Sequence, residues 1–273
     1  MRRILIVIFS HLIIAASYAD NYQQMIDSSY VAIEADSLVK AEVYLKKAMR
    51  IEPANPNNYI LLSNLGTIQR TLGKHDDAIL SYSSALMLAP KSITLMQNRA
   101  LLYSELSEWD KAIEDYSSIL LIKEDDEESL YRRGLIKIEK NDTLGARIDF
   151  ERIVKNNPIS SKGRLGLATI MKIKKSYSNA LDMYTQVIKV NSENPDLYLK
   201  RSEVYYLDGK LAKAAEDINK SISIKSDDPL AYIIRGRIRY AQLDNKSAIE
   251  DFEKALSLGG ESELIDPWIK KCK

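Results

Sequence analysis

Few residues of this chain have the type and spacing that chemistry requires. It carries two histidines, His11 and His75, and one cysteine, Cys272. A zinc site or a nucleophile with its base needs several such groups at defined separations. His75 stands alone in the turn GKHDD and is expected to be solvated. Cys272 cannot form an internal disulfide and is expected to be an incidental residue of the tail. Two Gly-Lys pairs, Gly73-Lys74 and Gly209-Lys210, lack the Gly five positions earlier that a phosphate-binding loop needs. No GxSxG elbow occurs. The acidic run EDDEE, residues 124–128, lacks the alternation and central Gly of a calcium loop. It suits the start of a helix, where carboxylates complement the dipole in solvent. The lysines of MKIKKSYS, residues 171–178, suit a helix end for the complementary reason. The sequence therefore predicts no catalytic set, no metal and no cofactor.

What the chain does repeat is packing. SAIEDFEKAL, residues 247–256, rewrites KAIEDYSSIL, residues 111–120. Ala78, Ala112, Ala146, Ala180, Ala214 and Ala248 fall at steps of 34 residues, and Ala41 precedes them by 37. Twelve residues before each alanine stands a small residue: Ser29, Gly66, Ala100, Gly134, Ala168, Ser202 and Gly236. Four after it stands a bulky one: Leu45, Tyr82, Tyr116, Phe150, Tyr184, Ile218 and Phe252. Turn residues lie between, as in TLGKHDD, EKNDT and LDGKL. Each unit reads as two helices joined by a tight turn, crossing closely where the small residues meet. Pro53, Pro90 and Pro158 end second helices.

Small residue, Ala, aromatic and Pro on a 34-residue period resembles the tetratricopeptide repeat family. Residues 65–90 and 235–258 look like single copies, and the resemblance spans roughly residues 22 to 260. The family's frequent early Trp is absent; Leu62, Met96, Leu130, Arg164, Tyr198 and Tyr232 hold that place. The resemblance implies an all-α, right-handed superhelical solenoid of about seven repeats over residues 20–260. Residues 261–273 are expected to form a capping helix, with Ile265, Trp268 and Ile269 covering the last apolar edge.

By the same resemblance, first helices line a concave groove that receives an extended peptide or a partner's helix. The family's groove positions map here onto Arg132, Lys200, Glu203, Tyr206, Ile233, Arg237 and Tyr240, among others. Asn98 and Arg132 fill two positions of the family's carboxylate clamp, but Ser63, Thr67 and Glu128 stand where Lys, Asn and Lys are needed, so that clamp is not expected. Tyr206 and Tyr240 share one register, and Glu203 and Arg237 another. Tyr and Arg dominate binding hot spots. Arg132, Lys200, Glu203, Tyr206, Arg237 and Tyr240 are therefore the candidate partner-binding residues.

Thirty-nine Lys and Arg against 38 Asp and Glu give no polycationic surface, so nucleic acid is not an expected partner. The first residues, MRRILIVIFSHLIIAASYAD, read as a signal peptide over 1–19: two arginines, an apolar stretch, and small residues before Asp20. The apolar stretch is short of the roughly 20 residues that span a bilayer, and no later segment is long enough. The expectation is an exported, periplasmic or secreted scaffold that binds a protein or peptide. The alternatives are a structural subunit of a cell-envelope or secretion assembly, and a carbohydrate or cell-wall binder.

Overall fold

The computed structural model describes residues 21–273. The expected signal segment, 1–19, lies outside them. The described residues form helices and no strand. In order these are α1 (21–34), α2 (Leu38–Ile51), α3 (Asn58–Thr71), α4 (His75–Leu88), α5 (Ile93–Glu105), α6 (Trp109–Ile122), α7 (Glu127–Glu139), α8 (Thr143–Asn156), α9 (Ser161–Ile173), α10 (Tyr177–Val190), α11 (Pro195–Leu207), α12 (Leu211–Ile224), α13 (Pro229–Ala241), α14 (Asn245–Ser257) and α15 (Ser262–Cys272). They fall into two compact units, one ending at Ile136 and the other Lys137–Lys273.

The turn within each pair is built one way. Five residues before each register alanine the backbone is left-handed: Asp36, Gly73, Ser107, Asn141, Lys175, Gly209 and Leu243 all have positive φ. The next residue's N–H then reaches back five positions, as in Lys74 to Gln69, Asp142 to Lys137 and Asp244 to Arg239, at 2.7–2.9 Å. This pattern satisfies carbonyls that a helix end leaves open. It favours Gly, yet Leu243 occupies it at φ 64°, with its side chain in solvent.

In the first unit the helices from α1 to α6 pack in sequential pairs. Ala41, Ala78 and Ala112 are fully buried, as are Leu45 and Tyr82, and Tyr116 is nearly so. A Cβ on Gly66 would lie 2.7 Å from the Tyr82 ring, so the missing side chain is where the aromatic fits. The second unit repeats the device. Ala180, Ala214 and Ala248 are fully buried, and a Cβ on Gly236 would lie 2.6 Å from the Phe252 ring. Ser202 opposes a smaller partner and instead donates its hydroxyl to the Ala214 carbonyl at 2.7 Å. Pro195 and Pro229 open α11 and α13 behind the caps Asn194 and Asp228, whose side chains accept from Asp196 and Leu230 N–H.

The expected cap is α15. Ile265 is fully buried, while Trp268 and Ile269 are half-buried against the cluster of Phe252 and Ala255. Cys272 corrects the expectation of an incidental tail residue. It is buried in this cluster, burial pushes its thiol pKa up, and its carbonyl accepts from Asn245 Nδ2 at 3.0 Å. Asp126 corrects the solvated reading of EDDEE. Its carboxylate is buried, accepts from Ser129 N–H at 3.0 Å and meets Lys123. His75 is not a free loop residue either; it is the first residue of α4, and its Nδ1 is shut off without a hydrogen-bond partner.

Candidate partner-binding face

The helices that carry the candidate residues are fixed by ion pairs that sequence reasoning missed. Arg201 of α11 grips Asp217 of α12 with Nε and Nη2, both at 2.7 Å, and its Nη1 donates to Thr185 of α10 at 3.0 Å. Arg235 of α13 grips Asp251 of α14 at 2.7 Å, and its Nη1 reaches Asn219 of α12 at 3.1 Å. The first unit holds the same fastening in Arg99, with Asp115 at 2.7 Å and Ser83 at 2.9 Å. One guanidinium thus ties its own helix to the next helix and to the one before. The three carboxylates are buried, and an Arg fork matches a carboxylate bidentately. The hydrogen bonds that Arg99 donates to Asp115 hold its guanidinium above its ordinary pKa, and those to Asp217 do the same for Arg201. The signal was present: each Arg lies 16 residues before its Asp, and the pairs recur on the 34-residue period.

With Arg201 and Arg235 turned inward, α11 and α13 present other residues outward. Lys200 is exposed, and Glu203, Tyr206, Arg237 and Tyr240 are half-buried. Glu203 is paired with Lys172 of α9 at 2.8 Å. Tyr206 and Tyr240 are brought together with Arg237 through the cap. The Arg237 guanidinium lies 5.2 Å from the Tyr206 ring centre and 5.1 Å from that of Trp268. Tyr240 meets Trp268 edge-on, with centroids 5.7 Å apart. Lys271 stands over the same indole at 4.4 Å. Trp268 was expected only to seal an apolar edge; it also completes a cation–aromatic cluster. Ile233, mapped to the groove, is buried instead.

Arg132 belongs to the first unit, where it pairs with Glu128 one helical turn away. In that unit Arg70 pairs with Glu105, its Nε donating at 2.7 Å. Thr67 Oγ1 lies 3.0 Å from the Tyr82 hydroxyl. The six candidates are therefore not one cluster: three gather around Trp268, Glu203 is held by Lys172, Lys200 is solvated, and Arg132 is in the other unit.

Three family models, each described as a tetratricopeptide repeat, match residues 60–92, 128–158 and 175–229. The chain is 40% identical to a tetratricopeptide repeat protein from Parabacteroides merdae ATCC 43184, over 93% of this chain and 99% of that one, with a TM-score of 0.81. It also resembles yeast Tom70 at 14% identity, over 87% of this chain and 58% of that one, with a TM-score of 0.61. YrrB, described as a TPR protein with an unusual peptide-binding site, is 19% identical over 68% of this chain and 95% of that one, with a TM-score of 0.50. No curated protein matches the sequence.

Proposed function

This chain belongs to the tetratricopeptide repeat family, and we propose that it is an exported, non-catalytic scaffold that holds an extended peptide or a helix of another protein in the concave groove, against the side of α11 and α13 that faces away from α12 and α14. One observation carries the reading. The arginines that fasten these helices face α12 and α14, while Lys200, Glu203, Tyr206, Arg237 and Tyr240 offer charge and aromatic area on the opposite, groove side. Helical repeat scaffolds bind extended partners through such rows of side chains. The peptide site for which YrrB is described supports a peptide ligand for this fold, and the signal-like start of the chain supports export. N-terminal sequencing of the cell-derived protein should begin at Asp20; a chain starting at Met1 would contradict export by this route.

The binding test is affinity capture with the protein as bait, beside a Lys200→Ala, Glu203→Ala form that leaves the cap contacts intact. A partner held by the wild type and released by the variant is the expected result. Equal retention by both would move the contact elsewhere. A second reading, a fixed subunit of a larger assembly, draws on Met87 of α4 and Leu121 of α6. They stand at one register and are 85% and 89% exposed. Under that reading Met87→Lys with Leu121→Lys would break co-purification while the Lys200 and Glu203 variant would not.

A further inference from the structure

Three arginines follow at two-residue steps on α13, and only the middle one lacks a carboxylate. Arg235 and Arg239 both hold Asp251, at 2.7 and 2.8 Å. Arg237 turns to the other side of the helix, between the rings of Tyr206 and Trp268. Its Nε is buried without an acceptor. Among the described residues no Asp or Glu is paired with it or with Lys271. Glu203, one turn before Tyr206, is already engaged by Lys172.

Two cations over one indole, neither of them in an ion pair with a carboxylate of the described residues, favour an anion at this site. The rings also hold the guanidinium in place, so little side-chain freedom is lost when it binds. Charge complementarity then selects the ligand: an anion with a planar, two-oxygen head that a guanidinium fork matches.

We infer that Tyr206, Arg237, Trp268 and Lys271 form a receptor for carboxylate side chains of an extended acidic segment of the partner protein. The inference rests on the scaffold reading above and names the chemistry that its face selects. The cap helix is thus part of the binding surface as well as the end of the fold.

The test uses Trp268 as its own reporter in a Trp109→Phe background, which leaves one tryptophan. The probe is a decapeptide of Gly, Asp and Glu, acetylated and amidated so that its only carboxylates are side chains. A matched peptide carries Asn and Gln in their place, and a third is neutral with a free C-terminus. The acidic probe should change Trp268 fluorescence saturably, with an affinity that falls as salt rises. Arg237→Gln should weaken it at least about tenfold, and Lys271→Glu, on an exposed site that leaves the core untouched, by about threefold or more. Binding of the amide peptide as tightly as the acidic one would overturn the inference. So would response only to the free C-terminus, or affinity unchanged in both variants. A partner released by the Lys200 and Glu203 variant but not displaced by the acidic probe would leave the scaffold reading standing and remove this one.

Discussion

The pairs α13–α14 and α9–α10 have the same crossing and opposite interiors. In the first, Arg235 and Arg239 converge on the buried Asp251. In the second, Leu167, Met171 and Met183 stand at those three registers; Leu167 is buried, and Met171 and Met183 pack against the cluster of Leu181 and Tyr184. Ala180 and Ala248 are equally buried, and Tyr184 and Phe252 fill the same place. The crossing is therefore set by the small residue, the alanine and the bulky side chain. The ion pair is an addition, and a buried ion pair is often no more stabilising than apolar residues of similar volume. What it adds is dependence: once both charges are inside, neither can be removed alone.

The largest effect should come from breaking that dependence. Asp251→Ala leaves two arginines facing a vacancy and should cost about 3–5 kcal/mol in urea denaturation; a loss under about 1 kcal/mol would mean water already screens the pair. Installing the pair in the apolar site sharpens the point. Met183→Asp alone should destabilise by about 1–3 kcal/mol, because the new carboxylate finds no guanidinium. Adding Leu167→Arg should recover a coupling of about 0.5–3 kcal/mol in the double-mutant cycle. Additive single effects would show that the α9–α10 interior cannot accept the fastening.

Gly236→Ala tests the part that both pairs share. Its Cβ would meet the Phe252 ring at 2.6 Å, and overpacking of this kind costs about 1–3 kcal/mol. Denaturant midpoints measure it.

Glu42 extends the comparison to the first unit. Its buried carboxylate accepts from Lys46, Lys74 and Gln69. Burial alone would raise its pKa, but these bonds outweigh burial and bring it down to about 2. The folded value lies below the unfolded value of ~4.3, so the stabilisation is complete above the unfolded pKa. It is lost as pH falls through that value toward the folded one. The stability gap between wild type and Glu42→Gln should therefore be widest near neutral pH and shrink on acidification below about pH 4.5. A gap constant from pH 7 to pH 3 would contradict the assignment. The smallest effect is a gain: Leu243→Gly at φ 64° should stabilise by about 1 kcal/mol, read as a raised Tm.

The alanine register, the small residues facing aromatics and the capping helix were legible because close helix crossings admit few residue types, and those recur at a fixed spacing. The inward arginines were equally periodic. They were passed over because single charged residues usually sit in solvent, and only pairing makes their burial tolerable. The meeting of Arg237 with Trp268 could not be read in the same way. The turn into α15 breaks the 34-residue step, so no register carries Trp268 to Tyr206 and Tyr240. Cys272 and Asp126 were misplaced for a related reason: burial at a chain end or in a cap depends on what folds over it.

The proposed partner lies along the groove side of α11 and α13. Hydrogen exchange of the protein, alone and saturated with the partner recovered by capture, tests this placement most directly. Exchange should slow in α11, α13 and α15, with α12 and α14 unchanged. Slowing confined to α12 and α14, with α11, α13 and α15 unaffected, would contradict it.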